Sequence, residues 1–127
     1  MVALLVCGVD DLPLSSMTTV MNGATPVVVA HTGAGEYHAV RGYCAHQGAM
    51  LGGGCLTWLT CEDARGGYAL SRAGEILRCP WHSFEYDVTT GRCVTDPRLR
   101  LRTYPVRVEG ANVVLDVPVP APAVSAA

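Results

Sequence analysis

Short apolar runs recur along this chain with Gly, Pro or polar residues between them: Leu4–Cys7, Pro26–Ala30, Tyr37–Val40, Glu75–Arg78, Phe84–Val88, Leu99–Val108 and Val113–Val117. Most are shorter than the roughly 10–12 residues of an ordinary helix, and their punctuation by turn formers predicts an all-β domain. The stretch Leu99-Arg100-Leu101-Arg102-Thr103-Tyr104 alternates apolar and polar, as a strand with one buried face does, which sends its arginines to solvent. Glu109-Gly110-Ala111-Asn112 reads as a hairpin turn leading into Val113-Val114-Leu115.

One segment departs from this rhythm. Residues 57–73 carry Trp58-Leu59, then Glu62-Asp63-Ala64-Arg65, then Gly66-Gly67, and read as a loop with room for a helical turn started by Thr60. The stretch 118–127 is rich in Pro and Ala, has no charge, and reads as a flexible tail.

Composition narrows the class. A chain of 127 residues fits one domain and is too short for a two-domain enzyme. Half of it is apolar and only 16% is charged, below the roughly 25% of an average soluble domain, so it packs rather than stays disordered. Its net charge is -2, every basic residue is arginine, and no basic run occurs, which argues against nucleic acid as a partner. Residues 12–35 lack charge, but Ser15, Asn22, Gly23 and Pro26 interrupt them, so no membrane span is expected. Met1–Cys7 has no positive leader and soon meets Asp10 and Asp11, so it reads as a first strand rather than a signal peptide. A cytoplasmic chain is the expectation. Structural disulfides are disfavoured there, which turns the six cysteines toward metal or redox chemistry.

Two cysteines and two histidines form matched half-sites, Cys44-Ala45-His46 and Cys79-Pro80-Trp81-His82. Zinc knuckles usually place two to four residues between paired ligands, and Cys-x-His leaves one. A [2Fe–2S] centre of the mixed-ligand kind needs two thiolates on one iron and two imidazoles on the other, and each segment here supplies one of each. A structural zinc module using the same Cys₂His₂ set is the non-redox alternative.

At these residues the chain resembles the Rieske family. Cys44-Ala45-His46-Gln47-Gly48-Ala49-Met50-Leu51 is similar to the family's first cluster loop. Cys79-Pro80-Trp81-His82-Ser83-Phe84-Glu85-Tyr86-Asp87 is similar to the second, with Thr90-Gly91 as the turn that follows. Similarity to Rieske-type ferredoxins and oxygenase Rieske domains runs from about Val6 to Asp116. The resemblance implies an antiparallel β-sandwich or partly open barrel over residues 1–117. A small cluster-binding subdomain spans about 42–97, with an insertion at about 57–73. It implies one [2Fe–2S] cluster per chain, with Cys44 and Cys79 on the inner iron and His46 and His82 on the outer. Pro97 falls where the family places a third loop covering the cluster, and Trp81 sits between two ligands.

Departures from the family tune this expectation. Respiratory Rieske proteins join an extra cysteine of each loop in a disulfide; here those positions are Ala49 and Trp81. They also place a serine hydroxyl near a cluster sulfur where this chain has Phe84. Tyr86 retains one hydroxyl at a position where many ferredoxins have phenylalanine. Fewer donors to sulfur imply a potential in the lower part of the range of about -150 to +300 mV, with Tyr86 raising it.

The resemblance implies a ferredoxin of a Rieske-type non-haem iron oxygenase system. Such a carrier takes single electrons from an NADH-dependent flavoprotein reductase to a terminal oxygenase of aromatic-ring type. It would act as a monomer, docking transiently near His46 and His82, and would not itself be an enzyme. A small subunit of a larger reductase, similar to nitrite reductase small subunits, is the enzyme-class alternative; many of those have lost cluster ligands that this chain keeps. Cys7, Cys55, Cys61 and Cys93 lack motif spacing and read as inert thiols, His31 and His38 as ordinary solvated imidazoles, and Arg98, Arg100, Arg102 and Arg107 as a solvated strand face.

Overall fold

The computed structural model describes residues 2–118 apart from 45–49, 63–67 and 81–83, and describes only the backbone for 58–62 and 68–73. Among the described residues ten strands follow in order: β1 (Val2–Gly8), β2 (Ser16–Asn22), β3 (Thr25–His31), β4 (Tyr37–Arg41), β5 (Cys55–Glu62), β6 (Tyr68–Arg78), β7 (Glu85–Asp87), β8 (Thr103–Tyr104), β9 (Val106–Glu109) and β10 (Asn112–Val117). They form three antiparallel sheets ordered β1-β10-β9, β2-β3-β4-β8 and β5-β6-β7. The all-β reading holds, and no helix is long and apolar enough to cross a membrane among the described residues.

Strand β3 is the wall between two cores. Because successive side chains of a strand point to opposite faces, Val28 and Ala30 enter one core with Val40, while Val27 and Val29 enter the other with Ala39. A strand covered on both faces reads as an unbroken apolar run, which is how Pro26–Ala30 looks in sequence. Burial of each of these valines contributes about 1.5–3 kcal/mol. The second core is completed by Val113, Leu115 and Val117, the inward face of β10. The first contains Leu51, Leu77, Tyr86, Cys93 and the two motif cysteines.

Residues 57–62 and 68–73, expected from their sequence to be loop, are strand, while 63–67 lie outside the described residues. The two strands form the β5–β6 hairpin, whose register runs from Cys55↔Arg78 through Thr57↔Ile76 to Glu62↔Tyr68, with an irregularity between Thr57 and Leu59. Ladder hydrogen bonds between two adjacent strands override a weak local helix signal. The Leu99–Arg102 stretch differs in the opposite sense. Leu101 is buried and Arg100 and Arg102 are exposed, as the alternation implies, yet regular strand begins only at Thr103. The Glu109–Asn112 turn is found as expected, with those two residues paired across Gly110-Ala111. The proposed tail from 119 onward lies outside the described residues.

Candidate metal centre

Each Cys/His segment leaves a closed backbone base. The first is pinned by the Tyr43↔Met50 bridge and by Leu51 N–H donating to the Gly42 carbonyl at 2.7 Å. The second begins where β6 ends, and Cys79 N–H donates to the Phe84 carbonyl at 2.7 Å. The two bases touch through glycine. A Cβ on Gly54 would stand 1.9 Å from the Arg78 carbonyl oxygen, so only a residue without a side chain lets the first base lie against the second. The Gly52-Gly53-Gly54 run after the first motif carried this signal in the sequence.

Cys44 and Cys79 are each 3% exposed and belong to one core cluster. Tyr86 is fully buried in the same cluster, on β7, which pairs with β6 through Leu77↔Tyr86. Its hydroxyl lies 3.2 Å from the Cys44 sulfur. A metal-bound Cys44 is a thiolate and can only accept, so the phenol is then the donor. The expected role of Tyr86 thus has a geometric basis. Phe84, which replaces a donor hydroxyl, packs half-buried against this core.

His46, Trp81 and His82 lie outside the described residues. Pro97 is exposed on the loop between Cys93 and Leu99, closed by Cys93 N–H to the Leu99 carbonyl at 3.0 Å. Cys93 is the bridge partner of Tyr86, so this loop grows from the wall that carries the hydroxyl. Cys93 packs as the small buried thiol expected of it, completely buried in the core of Cys44 and Cys79, and its sulfur accepts from Asp96 N–H at 3.3 Å.

The other candidates separate cleanly. Cys7 is half-buried, and burial, with Asp11 adding to it, pushes its thiol up, away from the reactive thiolate. Cys55 is a free, exposed thiol. Cys55 and Cys61 share strand β5, so their Cα atoms lie about 20 Å apart at ~3.3 Å per residue, far beyond disulfide reach. His31 is not the solvated imidazole expected: it is half-buried, its Nδ1 is 2.7 Å from the Leu12 carbonyl oxygen, and its ring stacks on Tyr37 at 4.1 Å. Since a carbonyl only accepts, Nδ1 carries the proton. His38 pairs with Glu36 at 3.1 Å. Among the described residues, no three His, Cys, Asp or Glu side chains gather to hold a metal. Two buried soft thiols that share a core with a sulfur-directed hydroxyl fit an iron–sulfur cluster.

Comparison with known proteins agrees. The 3-phenylpropionate/cinnamic acid dioxygenase ferredoxin subunit of Escherichia coli K12 is 29% identical over 116 residues, covering 88% of this chain and 91% of that protein. The solved complex of reduced oxygenase and oxidised ferredoxin of carbazole 1,9a-dioxygenase contains a chain that matches with a TM-score of 0.70 and 25% identity, covering 89% of this chain and all of the other. A structure assigned as an NADH-dependent nitrite reductase small subunit of Mycobacterium tuberculosis matches with a TM-score of 0.69 at 21% identity, covering 90% and 93%, which shows that the fold is shared more widely than the role. The Rieske [2Fe-2S] domain model matches residues 2–105. Both motifs, the Tyr86 wall and the Pro97 loop fall inside that span, and the chain belongs to the Rieske family, whose cofactor is a [2Fe–2S] cluster.

Proposed function

We propose that this chain is a one-electron carrier serving an aromatic-ring-type oxygenase, with Cys44 and Cys79 holding one iron of its cluster and His46 and His82 the other. The observation that carries the reading is the burial of both motif thiols in one core, with the Tyr86 hydroxyl 3.2 Å from Cys44. The cluster, when bound, accepts and releases a single electron. The chain's own residues keep water from the thiolate side, donate a hydrogen bond to a sulfur, and bring the backbone of Gly54 against that of Arg78 beside the two motifs.

The named relatives support the partners: one is a dioxygenase ferredoxin subunit, and another structure holds a ferredoxin with its oxygenase. For this chain the donor is an NADH-dependent flavoprotein reductase and the acceptor a terminal oxygenase. The carrier acts as a cytoplasmic monomer, and contact near His46 and His82 is brief and small. No charged residue occurs from Gly42 to Cys61, so orientation comes from charges elsewhere. Reductive titration of the purified protein tests the reading. One electron is taken up per chain, and NADH with a dioxygenase-system flavoprotein reductase reduces the same centre. Uptake of no electron would overturn it.

A further inference from the structure

Among the described arginine side chains, most are matched. Arg78 pairs with Glu85 at 3.5 Å and Arg98 with Asp96 at 2.9 Å, and Arg107 is held by Asp116 and Glu109. Arg41 and Arg102 lie over the rings of Tyr43 and Tyr104, 5.9 and 5.1 Å from the centroids. Arg92 and Arg100 have neither kind of partner. They face each other across an antiparallel bridge, both are exposed, and both line one groove of about 460 Å³ together with Val94 and Pro97.

That arrangement is costly. Directly opposed cross-strand residues project to the same face about 4.5–5.5 Å apart, where like charges repel. The backbone enforces it. Gly91 has φ +80°, a Cβ there would meet the Leu101 carbonyl oxygen at 2.2 Å, and Leu101 N–H donates to the Gly91 carbonyl at 2.7 Å. These contacts fix the register that opposes Arg92 to Arg100. The groove's carboxylate, Asp87, is buried and accepts from the Thr89 amide and hydroxyl at 2.9 and 2.6 Å. Two exposed arginines on opposed residues beside one groove offer paired positive charge to an anion from outside. The place matters too, because Cys93, next to Arg92, bridges to Tyr86, whose hydroxyl reaches Cys44.

We propose that the Arg92–Arg100 pair is the charged docking point for a carboxylate-bearing surface of the terminal oxygenase. The inference rests on the carrier reading and adds the steering charge that the uncharged 42–61 segment lacks. Carboxylates entering the groove relieve the repulsion and bring the partner onto the wall that leads to Cys44.

Two probes of opposite charge test it on the holoprotein. Hexacyanoferrate(III) removes one electron from the reduced protein and becomes hexacyanoferrate(II); tris(phenanthroline)cobalt(III) does the same as a cation. At low salt, R92Q/R100Q slows oxidation by the anion at least ~5-fold and flattens its salt dependence, while the cation is not slowed. R98Q, which alters an arginine already matched by Asp96, leaves both rates near wild type. Redox-inert hexacyanocobaltate(III) added to the wild-type protein shifts the Nε–H signals of Arg92 and Arg100 in a ¹H–¹⁵N spectrum. Equal slowing by R98Q, no slowing by R92Q/R100Q, or shifts confined to other arginines would overturn the proposal. A wild-type protein that accepts no electron removes the carrier reading instead, and the hexacyanocobaltate shifts still decide the anion site.

Discussion

The phenolic oxygen of Tyr86 lies 3.2 Å from the sulfur of Cys44, within a core closed to solvent. A hydrogen bond to a cluster sulfur stabilises the more negative, reduced state. A net hydrogen bond is worth about 1 kcal/mol, and a one-electron potential moves roughly 59 mV per factor of ten. Tyr86→Phe is therefore expected to lower the potential by about 20–60 mV with the cluster retained. Protein-film voltammetry showing no change would remove the hydroxyl from the argument.

Gly54→Ala and Gly53→Ala form a matched pair. A methyl at Gly54 meets the Arg78 carbonyl oxygen at 1.9 Å, whereas at Gly53 the nearest atom found is Pro80 Cγ at 4.0 Å. The first change forces the two loop bases apart, costs about 1–3 kcal/mol and loosens the cluster. The second leaves both nearly unchanged. Denaturant unfolding and the rate of iron loss to a chelator measure the difference.

Thiols outside the motifs should be dispensable. Cys55→Ser and Cys61→Ser are expected to keep the wild-type visible spectrum, since both residues lie on β5 and neither belongs to a half-site. Cys44→Ser, Cys79→Ser and replacement of His46 or His82 should abolish it. Loss of the spectrum in either β5 variant would mean that the ligands are misassigned.

The distal part of the β5–β6 hairpin is set off from the part that carries Cys79 by the register shift after Thr57. Excising residues 58–75 and joining Thr57 to its partner Ile76 through Asn-Gly should leave the cluster spectrum in place and cost little stability. A colourless product would show that the distal hairpin supports the site.

Much of this was legible in the sequence, for reasons that vary by residue. Pro26–Ala30 announced a strand because both its faces are buried. Ser16–Asn22 did not: its serine, threonines and asparagine read as interruptions, and the strand exists through its full-length pairing with β3. Residues 57–62 and 68–73 read as loop because their order comes from cross-strand pairing rather than local preference. The half-sites were legible because metal chemistry demands residue types at fixed spacing, and Tyr86 because its position in the motif is fixed. Arg92 opposite Arg100 was not, since the register that opposes them depends on Gly91 meeting Leu101.

The most direct measurement is low-temperature EPR of the anaerobically reduced protein, with iron and sulfide counted on the same sample. Two irons and two sulfides per chain, with a rhombic signal appearing on one-electron reduction and lost in His82→Ala, are expected. A colourless, EPR-silent preparation holding stoichiometric zinc would contradict the electron-carrier reading.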